Sequence, residues 1–211
     1  MKYAGFFIVV GFSACLLARQ GTQYPTFKEN DWVQSRFDQV LDDVFPIEPM
    51  TGLSLGYRSY RDLYTADLEY TFLFNRLPPS KSITVTVKKP EAASLYDQIM
   101  TIHRKNPELA IEAIVPMLKV DQWRLSEDTC PTVRRQYDRF YNLGLTMLSA
   151  KDKKEEKKRV VTITLHPRVH IFRANISGGQ MNLKLTDPGH PYVEWADQTR
   201  LALDQCIAKT E

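Results

Sequence analysis

The run Ile83–Lys88 alternates Ile83, Val85 and Val87 with Thr84, Thr86 and Lys88, and that period of two is the strongest constraint on the fold. Successive side chains of a strand point to opposite faces, so the run offers one face to a core and the other to water. A sheet with one wet face is antiparallel, because the crossovers of a parallel sheet cover both faces. Leu53–Tyr60 and Asp67–Arg76 precede it, rich in aromatic and β-branched residues. Leu77-Pro78-Pro79-Ser80 supplies the turn between the second and third strands. Val160–Leu165 repeats the alternation, and Val169–Ile176 and Met181–Leu185 flank the hairpin signal Ser177-Gly178-Gly179-Gln180. Val120–Glu127, with Trp123 and Leu125, reads as one more strand.

Helical spacing separates these groups. Trp32, Val33, Phe37, Val40, Leu41, Val44 and Phe45 recur at three- and four-residue steps, and Pro46 ends that helix. Glu91–Arg104 places Leu95, Tyr96, Ile99, Met100 and His103 on one stripe. Asn106-Pro107-Glu108 reads as the start of a buried helix running to Val115. Cys130-Pro131 opens a long helix with Val133, Tyr137, Phe140, Tyr141, Gly144, Leu145 and Leu148 on its apolar side. A last helix spans about Tyr192 to Ala208 after the turn Asp187–Pro191. Strand groups followed by helices predict an α+β fold, with antiparallel sheet and about five helices packed against it. Residues 31–211 are expected to form a single domain, preceded by a loose polar segment over residues 19–30.

The first eighteen residues read differently. Lys2 is followed by the uncharged stretch Tyr3–Ala18 and then Arg19. A basic start, an apolar run and small residues near its end make a secretory signal peptide. As a helix the run would span about 24 Å, short of the roughly 30 Å hydrocarbon core. Phe12-Ser13-Ala14-Cys15 resembles a bacterial lipobox, which would place a cut after residue 14 and a lipid on Cys15. Phe12 departs from the aliphatic residue usual there, and Leu16 and Leu17 carry the apolar run past the cysteine. The alternative is that Cys15 is only a small apolar residue of the leader.

Export makes the remaining cysteines a pair. Cys130 and Cys206 are expected to form a disulfide in an oxidising compartment. The formal charge is +3, and Lys151–Arg159 alone holds six basic and three acidic residues, so no spread basic face suggests a nucleic-acid binder. That charge run reads as a solvated connector.

Candidate chemistry is sparse. Gly52-Leu53-Ser54-Leu55-Gly56 is a literal G-x-S-x-G, which in hydrolases sets a serine on a strand-to-helix turn. A serine hydrolase with Ser54 as nucleophile and His190 as base is therefore the alternative reading. Its context is wrong, because Pro46 and Pro49 precede the motif and a strand-like stretch follows it. His166 and His170 are candidate metal ligands, but four-residue spacing joins two imidazoles only on a helix and Pro167 intervenes. Arg58, Tyr60 and Tyr64 share one face of an extended chain and form a candidate binding surface; a half-buried strand is the competing view. No P-loop or dinucleotide fingerprint occurs, and no cofactor is expected. The leading expectation is a secreted or periplasmic protein, or one anchored by lipid, acting as a binding or envelope-associated module on an unidentified ligand or protein partner. Membrane association would come only through a lipid on Cys15.

Overall fold

The computed structural model describes residues 37, 39–47, 53–61, 69–76, 82–149, 168–176 and 179–210. The expected leader with Cys15, the polar segment over residues 19–30, Tyr64, the Lys151–Arg159 run, the expected strand Val160–Leu165 and His166 lie outside them. Among the described residues six strands form one antiparallel sheet: β1 Leu53–Arg61, β2 Tyr70–Arg76, β3 Ile83–Pro90, β4 Val120–Ser126, β5 Arg168–Ile176 and β6 Gly179–Leu185. Their order is β4-β3-β2-β1-β5-β6, so two runs of adjacent strands meet at β1. Helical residues 37 and 39–44 (α1) precede the sheet. The other helices are α2 Leu95–Lys105, α3 Ile111–Ile114 leading into the 3-10 turn Val115–Met117, α4 Thr132–Ser149 and α5 Pro191–Ile207. The fold is α+β. Among the described residues no helix is long and apolar enough to cross a membrane.

The register turns the sequence alternation into rows. Trp123, Val87, Phe72, Tyr57, Phe172 and Leu183 lie opposite one another across all six strands. This row and its neighbours on the same face carry the larger core, closed over by Val133, Tyr137 and Phe140 of α4 and by Trp195 and Leu203 of α5. Trp195 is fully buried, with its ring 4.9 Å from Phe140 and 5.6 Å from Phe72. Its indole N–H donates to the Gln136 carbonyl at 2.9 Å, so the largest aromatic enters the core without an orphaned donor. The disulfide between Cys130 and Cys206 ties the start of α4 to the last turn of α5, with Cα atoms 5.6 Å apart. It staples the two helices that cover this face.

The adjacent row faces the other way: Arg124, Thr86, Leu73, Gly56, Arg173 and Asn182. The sequence implied that this face is wet, and it is only partly so. A second core of Phe37, Val40, Leu41, Leu95, Ile99, Ile111 and Ile114 packs α1, α2 and α3 beside Tyr60 and Val169. Gly56 fixes where this cover crosses the sheet. A Cβ at Gly56 would stand 2.4 Å from the Ile47 carbonyl oxygen, so the chain leaving α1 lies directly on the β1 backbone.

Two helix expectations need correction. Asn106 does not cap a new helix but ends α2, its N–H donating to the Ile102 carbonyl at 3.0 Å. Pro107 drives Asn106 into an extended conformation, φ −147° and ψ 86°, so helix resumes only at Ile111 and lasts four residues. Likewise α2 begins at Leu95 and not near Glu91, because Ser94 accepts the Asp97 N–H at 3.1 Å and sets the cap there.

Two stability outcomes follow from this packing. Gly56→Ala must displace the Ile47 backbone and should lower stability by about 1–3 kcal/mol in urea denaturation. Opening the disulfide, whose half-cystines are 76 residues apart, should cost about 4 kcal/mol on the chain-entropy estimate, read from melts with and without reductant.

Candidate functional site

The side chains singled out by sequence go to different places. Arg58 is buried and pairs with Asp42 at 2.8 Å, and the same guanidinium nitrogen donates to the Phe45 carbonyl at 3.3 Å. Tyr60 is buried with its ring edge-on to Phe37, centroids 6.3 Å apart. Both therefore hold α1 onto the sheet and are withdrawn from solvent. A cation beside the last carbonyls of a helix also complements its dipole.

Ser54 and His190 are not brought together. Ser54 is buried in β1 on the α1 side, and its hydroxyl accepts from the Asn175 amide at 3.5 Å. His190 caps α5 on the opposite face, its Nδ1 accepting the Tyr192 N–H at 3.3 Å and its ring stacked on Tyr192. His170 points into the larger core. Its Nδ1 lies 2.9 Å from the Tyr57 hydroxyl. Burial pushes the imidazole down to about 4 and the phenol up to about 12, so at neutral pH both are uncharged and the phenol donates. Among the described residues no group of three or more His, Cys, Asp or Glu is placed to hold a metal ion.

A site that sequence did not single out lies on the α1 side of the sheet. Beyond the point where Ile47 passes over Gly56, the outer face of β2 and β3 forms a concavity of about 250 Å³. β2 supplies Thr71, Leu73 and Asn75 to its floor, and β3 supplies Thr84, Thr86 and Lys88. Arg124 reaches it from β4, and Pro46 forms part of the wall. Cross-strand pairing explains the grouping: Thr71 lies opposite Lys88, Leu73 opposite Thr86, and Thr86 opposite Arg124. Such partners have Cβ atoms about 5 Å apart.

The polar groups here are incompletely matched. Lys88 donates to the Val44 carbonyl at 3.1 Å, and burial holds its ammonium below the usual lysine range. Thr71 is 2% exposed, and its Oγ1 has no partner among the described residues. Asn75 Oδ1 is in the same position. A buried hydroxyl left unmatched costs about 1–3 kcal/mol; Ser59 Oγ, fully buried on the opposite face, is also without a partner among the described residues, and what sets Thr71 apart is that it lines a concavity. The signal in the sequence was the threonine half of the Ile83–Lys88 alternation, which resembles any wet strand face.

A second residue that sequence missed is Glu69. It is buried, and its carboxylate accepts the Leu95 N–H at 2.9 Å, closing the α2 N-terminus. Burial raises its pKa above the ordinary glutamate value. Its contacts are those of a structural cap.

No family model matches the chain, and neither a curated protein nor a solved structure matches it.

His170 gives a pH-dependent outcome. Its folded pKa lies below the unfolded value near 6.5. Protons therefore bind the unfolded chain first as pH falls, and stability declines between about pH 6.5 and pH 4. The contribution should be about 3 kcal/mol, present above that window and lost through it. Comparing urea denaturation at pH 7 and pH 4 for wild type and His170→Gln isolates it; an equal pH slope in both would contradict the assignment.

Proposed function

We propose that this chain is an exported binding protein whose ligand seat is the outer face of β2 and β3. The observation that carries the reading is Thr71: a nearly fully buried hydroxyl with no partner among the described residues, set in a concavity beside two cations. A cavity that keeps polar groups unmatched is matched by what enters it, and concave sites with a few convergent polar groups are where small molecules bind.

Export is supported by the basic start and apolar run of the leader and by the disulfide, which suits an oxidising compartment. Whether the leader ends in a lipid on Cys15 belongs to the same proposal. Binding is favoured over catalysis because the serine and histidine of the hydrolase reading stand on opposite faces of the sheet, each engaged in its own local contacts.

The test uses the full chain expressed with its leader and recovered from the exported fraction. Intact mass should show loss of the leader and a two-proton deficit that reduction removes. Screening that material by thermal shift against a panel of small polar molecules should yield stabilising compounds. Thr86→Trp, which fills the middle of the seat, should abolish those shifts while leaving the unliganded melting temperature within a few degrees. Stabilisation that persists in Thr86→Trp, or a panel with no stabilising compound, would overturn the binding reading.

A further inference from the structure

We infer that the seat on β2 and β3 takes a small hydroxylated oxyanion, a carboxylate or phosphate group carried on a few-atom polar skeleton. The inference rests on the binding reading above and names the ligand class of that same site.

Charge decides the sign of the ligand. Lys88 and Arg124 both line the seat, and no carboxylate lines it among the described residues. Of the two adjacent acids on α1, Asp42 is already engaged by Arg58 at 2.8 Å, and neither Asp42 nor Asp43 lines the seat. Arg124 is exposed and has no acidic partner among the described residues. Lys88 spends one of its three donors on the Val44 carbonyl, which leaves two. Like charges gathered on a partly desolvated surface repel one another, and an anion between them removes that repulsion.

Hydrogen bonding decides the chemistry. Lys88 and Arg124 reach from diagonal positions on β3 and β4, with Thr86 between them in the row that Arg124 shares. Thr71, opposite Lys88, adds a buried hydroxyl that can donate to the same group. An oxyanion accepts all of these, and charge-assisted bonds of this kind are the strong ones. Asn75 Oδ1, across from Thr84 at the far end, is an acceptor without a partner among the described residues. It asks for a donor, which a hydroxyl on the ligand supplies. Leu73 and Pro46 give the seat a short apolar strip, enough for a carbon or two. A volume of about 250 Å³ falls just below the usual range for small-molecule pockets, which points to a compact ligand.

Isothermal titration of the exported full chain with glycerate, glycerol 3-phosphate and glycerol tests the inference. At least one of the two anions should bind, weakening as salt is added, and neutral glycerol should not. Which anion binds distinguishes a carboxylate from a phosphate as the recognised group. Arg124→Gln should weaken binding about tenfold and Thr71→Val about fivefold. Thr71→Val removes an unmatched hydroxyl without changing shape, so its melting temperature should hold or rise, which a purely structural threonine would not show. Glycerol binding as tightly as the anions, or anion binding unchanged in both variants, would overturn the inference. If neither anion binds while Thr86→Trp still abolishes the shifts of other compounds, the ligand class is wrong and the binding reading stands. If nothing binds at all, both fall.

Discussion

The approach of the Ile47 carbonyl to Gly56 sets the boundary on which the rest of the molecule depends. A side chain at position 56 would meet that oxygen at 2.4 Å, so only glycine lets the chain leaving α1 lie flat on the middle of the sheet. Two cations from the sheet then grip the end of the helix, Arg58 at the Phe45 carbonyl and Lys88 at the Val44 carbonyl. Orphan carbonyls at a helix C-terminus need such partners. To one side of this crossing the sheet is covered by α1, α2 and α3; to the other, among the described residues, β2 and β3 present Thr71, Leu73, Asn75, Thr84 and Thr86 to the concavity.

The opposite face has no such interruption. One apolar row crosses all six strands, and α4 and α5 close over it around Trp195. The Cys130–Cys206 disulfide binds those two helices to each other. The larger core and the staple thus lie on one face, while the other carries the smaller core and, beside it, Thr71 Oγ1 without a partner among the described residues. Natural proteins tolerate such local violations where function requires them and offset them elsewhere.

The sheet was legible in the sequence because period-two alternation in Ile83–Lys88 and the aromatic runs of β1 and β2 state which residues face inward. The disulfide was legible for a different reason, since Cys130 and Cys206 are the pair left when Cys15 is assigned to the expected leader. The start of α3 is not legible, because Asn106-Pro107-Glu108 satisfies a helix cap as well as a turn, and only the extended backbone that Pro107 imposes on Asn106 decides between them. Arg58 and Tyr60 read either as surface anchors or as part of a half-buried strand, because nothing in a strand's sequence says that a distant helix will cover one end of it. The seat was hidden for the converse reason. Thr71, Thr84 and Thr86 look like ordinary wet positions, and their grouping depends on register across three strands and on where residues 45–47 happen to stop.

The two sides of β3 differ in access, with Val85 and Val87 sealed and Thr84 and Thr86 half-buried. Paramagnetic relaxation by a small soluble nitroxide, read on methyl NMR signals of the full chain, measures that difference residue by residue. The threonine methyls of positions 84 and 86 should broaden strongly while the methyls of Val85 and Val87 stay sharp. Equal protection on both sides of the strand would show that the β2–β3 face is closed, and would contradict a ligand seat there.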